Sequence, residues 1–148
     1  MTSVDDELLI SIRPSFANAI FNGSKTVEIR RRIPPIKLGA RLWIYVTKPV
    51  GEVRGVARVS EIVEGTPDDV WRACGPRTGL VKPDFDNYLR GSTKAYGLIL
   101  REVEVGRPIS MSALKELRAG FHPPQVITRL TPTEASGLEQ HFFPSERV

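Results

Sequence analysis

The chain has 148 residues, 41% hydrophobic and 26% charged with a formal net charge of +4, an ordinary globular composition with enough apolar residues for one core. No apolar run approaches the roughly 18 residues of a membrane span, and the acidic start at Asp5, Asp6 and Glu7 lacks the basic-then-apolar order of a secretory leader, so a cytoplasmic location is expected. A lone cysteine, Cys74, and two histidines, His122 and His141, supply neither a disulfide nor a cluster at metal-ligand spacing, and no metal or other cofactor is expected.

Leu8 to Ile12 reads as a first strand, with Leu8, Ile10 and Ile12 on one face and Leu9, Ser11 and Arg13 on the other. Pro14 then opens a helix whose apolar stripe is Phe16, Ala17, Ile20 and Phe21, and Asn22-Gly23 ends it. Val27 to Arg30 alternates apolar and charged residues, so Glu28 and Arg30 share one face of a short strand. Lys25 joins that polar face only if the chain turns near Lys25-Thr26, and Gly23 supplies the turn. Two prolines and a glycine make 33–39 a loop. Arg41 to Thr47 is a strand with Leu42, Ile44 and Val46 facing one way and Trp43, Tyr45 and Thr47 the other; for the aromatic pair, packing against a helix is favoured over stacking on a base.

Glu52 to Val63 is a long β-rich stretch with Gly55 as a bulge or close-approach point. Thr66-Pro67-Asp68-Asp69 carries an N-cap, a first-turn proline and a carboxylate, which starts a helix burying Val70 and Trp71. Lys82 to Leu89 is a further helix with Phe85, Tyr88 and Leu89 on one side, stopped by Gly91. Thr93 to Val105 is another strand, Ser112 to Arg118 a short helix with Leu114 and Leu117 inward, and Gln125 to Leu130 a last strand-like piece. Thr131-Pro132-Thr133-Glu134 repeats the capping arrangement and starts a terminal helix to about Gln140, followed by a tail at His141 to Val148. Short strands with interspersed helices and no repeat predict an α+β chain, a small mixed barrel with helical decoration.

Charge is concentrated early. From Arg13 to Arg58 ten basic residues face only Glu28 and Glu52, a local +8 that leaves −4 for the rest. Fifteen of the 21 basic residues are arginine, which suits bidentate contacts to phosphate.

The residues Gly23-x-Lys25-x-x-Glu28-x-Arg30 match the G-x-K-x-x-E-x-R signature of the ASCH domain, a branch of the PUA-like superfold. Leu9-Ile10-Ser11-Ile12-Arg13-Pro14, Ile44-Tyr45-Val46-Thr47-Lys48-Pro49, the helix around Trp71, the Phe85 to Gly91 segment and Pro123-Pro124-Gln125 also resemble one group of free-standing ASCH proteins. Chain length predicts a single domain over 1–148; the resemblance covers its core at about 8–130, leaves the terminal helix and tail at 131–148 outside, and implies a PUA-like mixed β-barrel of about five to six strands. It also implies a cleft beside the signature in a family thought to bind RNA or nucleotides. One branch resembles amidohydrolases acting on acetylated cytidine, which keep the lysine but have threonine at the position of Glu28; another resembles metal-independent ribonucleases.

Lys25, Glu28 and Arg30 are therefore the leading ligand-binding residues, with Ser11, Arg13, Thr47 and Lys48 behind them. Lysine serves as a base, a nucleophile or a point charge for phosphate; glutamate accepts from a base amino group, and arginine grips phosphate or a purine edge. The competing reading of Glu28 and Arg30 is a structural ion pair. Arg31 and Arg32 are read as solvated surface charge and His122 as a loop residue. The expected partner is RNA or a nucleotide, with DNA also possible and no membrane. If the protein is an enzyme, the alternative is a small metal-independent ribonuclease or nucleoside amidohydrolase in which Lys25 and Glu28 carry the chemistry. A regulatory module that binds a protein partner is a third reading.

Overall fold

The computed structural model describes residues 6–144; the expectations placed on Met1 to Asp5 and on the last four residues of the tail lie outside the described residues. It consists of β1 (Glu7–Ile12), α1 (Pro14–Phe21), β2 (Val27–Arg30), β3 (Arg41–Val46), β4 (Glu52–Gly65), α2 (Pro67–Cys74), a 3-10 turn (Gly75–Thr78), α3 (Lys82–Tyr88), β5 (Ala95–Ser110), α4 (Met111–Leu117), β6 (Thr128–Arg129) and α5 (Pro132–Phe142). The six strands make one curled sheet in the order β2-β5-β4-β3-β1-β6, a half-barrel in an α+β chain. β1 and β3 run parallel and every other pair runs antiparallel. No helix among the described residues is long and apolar enough to cross a membrane.

Period-two alternation divides the apolar residues into the two surfaces that cores require. Leu8, Ile10 and Ile12 join Leu42, Ile44, Val46 and Leu98 on one side, where α1 packs through Ala17 and Ile20. On the other side Leu9, Trp43, Tyr45, Val53 and Ile109 are covered by Leu114 of α4 and by Leu138 and Phe142 of α5. A third cluster sets Val27 and Ile29 of β2 against Val70, Cys74, Phe85 and Leu89, so α2 and α3 roof the β2 end of the sheet.

Local chemistry explains the element ends. Thr66 and Thr131 are N-caps with reciprocal capping boxes to Asp69 and Glu134, each worth about 1 kcal/mol. At Gly55 the β4 register shifts between Val53 and Gly55, and a Cβ there would lie 2.2 Å from the Phe21 ring. The glycine both bulges the strand and admits α1.

Several boundaries differ from the sequence reading. β5 continues through Ser110, because its second half pairs with β4 as far as Glu52↔Ser110. The piece expected at 125–130 contracts to a two-residue strand beside β1. Tyr88 is exposed while Phe85 and Leu89 are buried, since the cavity described below takes the place of protein on that side of α3. The terminal helix runs on through His141 and Phe142, and Phe142 is buried edge-on against Trp43 with ring centroids 5.3 Å apart. Trp43 and Tyr45 are thus packing residues, as favoured from sequence: Tyr45 lies against Phe121, and the Trp43 indole donates to Glu7 at 2.8 Å.

Candidate nucleotide-binding cleft

The signature assembles in the order its spacing implies. Gly23 turns with φ +86°, and the Lys25 amide donates back to Ala19 of α1. The chain then enters β2 with Lys25 delivered to the face of Glu28 and Arg30.

These three side chains form a compact polar knot. Lys25 is 3% exposed, and its ammonium donates to the Val27 carbonyl at 2.9 Å and to the Thr78 carbonyl of the 3-10 turn. It also lies 3.3 Å from Glu28 Oε1 and 5.4 Å from the Phe16 ring centroid. The other Glu28 oxygen accepts from Arg30 Nε at 2.9 Å, and Arg30 Nη2 donates to the Ser11 carbonyl at 2.8 Å. The ammonium thus makes two hydrogen bonds and one ion pair, and both carboxylate oxygens are paired. On Arg30 no described residue accepts from Nη1. The ion pair expected as the competing reading is present, and it does mechanical work: β2 and β1 are not neighbours in the sheet, and the knot ties them together across the unclosed side of the half-barrel.

A half-open cleft of about 470 Å³ lies against this knot, within the size range of small-ligand sites. Its strand wall carries Lys25, Glu28 and Arg30, together with Arg13 at the β1–α1 junction. Phe16 projects from α1, and Asp84, Asn87 and Tyr88 come from α3. Partial desolvation at the cleft pushes the Tyr88 phenol above its usual range against the lowering influence of Arg30, Arg31 and Arg13, with the Glu28 charge adding to the rise.

The remaining sequence-selected residues separate. Ser11 and Arg13 do not share a face, because β1 ends at Ile12 and Arg13 is already the N-cap position of α1. Arg13 therefore lines the cleft, whereas the Ser11 side chain sits on the Leu9 face and Ser11 gives the knot only its backbone carbonyl. Thr47 and Lys48 lie in the β3–β4 turn, outside the lining of the cleft. Arg31 is a surface residue that donates to Ser92 Oγ at 2.8 Å, and His122 is an exposed loop residue. Cys74 is buried, and burial pushes its thiol up. Among the described residues no group of three or more metal-ligating side chains comes together.

Two features escaped the sequence reading. Asp84, Asn87 and Tyr88 stand at i, i+3 and i+4 on α3, a polar face that helical spacing could have revealed. Separately, the hydroxyls of Ser11, Tyr45 and Thr128 are buried with no hydrogen-bond partner among the described residues, on the sheet face where Ser11 pairs with Tyr45 and Thr128 with Leu9. Only strand register could reveal that grouping.

The ASCH domain family model matches residues 10–107. The chain belongs to the ASCH domain family. An ASCH domain-containing ribonuclease of Zymomonas mobilis is 44% identical over 140 residues, covering 93% of this chain and 95% of that protein. The crystal structure of ASCH from Zymomonas mobilis superposes with a TM-score of 0.88 at 43% identity, over 92% of this chain and 95% of that one. A tyrosine-to-phenylalanine variant from the same organism gives 0.89 at 42% identity, over 92% and 98%. The ASCH relationship thus extends past the family match into α4 and α5.

Proposed function

We propose that this ASCH protein binds single-stranded RNA in the cleft beside the signature and cleaves it. The observation that carries the reading is the cleft's composition: unsatisfied guanidinium donors on Arg13 and Arg30 beside two aromatic rings, Phe16 and Tyr88. Guanidinium groups grip phosphate, and aromatic faces accept an unstacked base, the combination that single-stranded RNA sites use. Cleavage is supported by the Zymomonas mobilis relative that is called a ribonuclease.

In this reading the signature residues divide their roles. Arg30 contacts the phosphate through Nη1, while Lys25 and Glu28 hold Arg30 and the cleft wall in place. Proton transfer by Glu28 would require one of its two ion pairs to break, so Lys25 and Glu28 act as positioning residues. The test is incubation of labelled single-stranded RNA with the wild type, Arg13→Ala and Arg30→Ala, read by filter binding and by gel. Wild type is expected to bind and to shorten the RNA. Each variant is expected to lose about tenfold in affinity, the magnitude of a charge-assisted contact. Absence of binding at low salt, or variants indistinguishable from wild type, would refute the proposal.

The volume also suits a free modified nucleoside, the substrate type of the amidohydrolase branch. Acetylated cytidine in the same incubation, followed by chromatography, separates the two: deacetylation without RNA cleavage would replace the ribonuclease reading.

A further inference from the structure

The seven polar or charged side chains lining the cleft fall into two groups once their partners are counted. Lys25, Glu28 and most of Arg30 are consumed by the knot. Arg13, Asp84, Asn87 and Tyr88 bond to no described residue through their side chains, and the last three lie together on one face of α3. The cleft therefore has one wall that is cationic and one that offers a carboxylate, an amide and a phenol.

Resting on the proposed RNA-binding role, we infer that α3 is the base-reading wall and that it selects guanine. With phosphate drawn to Arg13 and Arg30, a base held between Phe16 and Tyr88 presents its Watson–Crick edge to Asp84 and Asn87. An ionised carboxylate only accepts, and its two oxygens suit two adjacent donors. Guanine offers that pair, N1–H beside the N2 amino group, next to the O6 acceptor that an Asn87 amide donor can reach. Adenine and cytosine each present one amino group flanked by an acceptor, and uracil one N–H between two acceptors. Each therefore turns at least one lone pair toward the carboxylate, the kind of unfavourable approach from which specificity is built.

The bland account of Asp84 is a first-turn carboxylate interacting with the helix dipole. That account requires nothing of Asn87, which lies in the last turn, and it predicts no effect on base preference.

The experiment measures binding of four labelled pentanucleotides, a uridine background with G, A, C or U at the centre, to the intact protein, Asp84→Asn and Arg13→Ala. Wild type is expected to prefer the G-centred strand by about tenfold, typical of one well-made base pairing. Asp84→Asn removes the charge at constant shape and should bring that strand to the level of the others. Arg13→Ala should weaken all four equally. Equal wild-type affinities, preference for another centre, or an unchanged preference in Asp84→Asn would overturn guanine reading while leaving the RNA-binding role intact. No binding of any strand would overturn both.

Discussion

Lys25 shows how a residue chosen for its chemistry can owe its position to architecture. Its ammonium is buried with three acceptors, and removing either partner of a buried pair leaves an uncompensated charge that costs about 3–5 kcal/mol. Lys25→Ala should therefore lower unfolding free energy by about 3 kcal/mol in urea titration. A loss below 1 kcal/mol would mean that the knot is dispensable. Tyr45 makes the opposite case. Its hydroxyl is buried with no hydrogen-bond partner among the described residues, and burial pushes the phenol up, so Tyr45→Phe should be neutral or stabilising by up to about 1 kcal/mol in thermal melts. A loss larger than that would reveal an acceptor supplied by something other than the described residues. The gathering of Lys25, Glu28 and Arg30 was legible in the sequence, because strand alternation and one glycine turn are local rules. Their saturation was not, since the acceptors at Ser11 and Thr78 come from distant segments, and the place of Asp84 and Tyr88 depends on α3 folding back over β2.

At the scale of elements, α5 is anchored at both ends. Arg118 grips Glu134 through two contacts, one of 2.9 Å, and the Thr131 backbone N–H donates to the same carboxylate. The hydrogen bond from Arg118 holds the Glu134 carboxyl down at about 2, against an ordinary 4.5. A lowered folded-state value means stability that is complete above pH 4.5 and drains away as pH falls toward 2. The stability difference between wild type and Glu134→Gln should accordingly shrink across that interval in acid titration by circular dichroism; a constant difference would disprove the coupling. At the far end, Phe142→Ala should cost about 3–5 kcal/mol, the range for emptying a buried aromatic site, measurable as a lowered urea midpoint. A cost under 1 kcal/mol would make α5 an ornament. Both N-caps and Gly55 were readable from sequence because capping and close approach depend on residue type. The helix beyond Gln140 was missed because Phe142 is held by Trp43, about a hundred positions earlier, and no local signal announces such a partner.

At the scale of the whole molecule, the proposed RNA binding predicts a salt dependence that follows the uneven charge. The Arg13–Arg58 segment carries +8 against −4 elsewhere, and it holds both the strand wall of the cleft and the exposed Arg31 and Arg32. Backbone contacts of this kind release counterions, so log affinity should fall linearly with log salt, with a slope of roughly −0.7 per phosphate neutralised on a single strand. The double variant Arg31→Ala, Arg32→Ala should flatten that slope by about 1.4, two phosphates' worth, without changing base preference. An unaltered slope would exclude these two residues from the path of the strand.

β2 is only four residues long, stands at the sheet edge and hydrogen-bonds to a single neighbouring strand. Val27 and Ile29 hold its apolar face against α2 and α3, and the knot adds the ties of its polar face to β1 and to the 3-10 turn. Because β2 carries Glu28 and Arg30 of the cleft's strand wall, any local opening of this strand removes both residues from the cleft together. Ligand binding should then slow amide hydrogen exchange at Val27 to Arg30 as a unit, so a ligand's affinity can be read from how long the edge of the sheet stays shut.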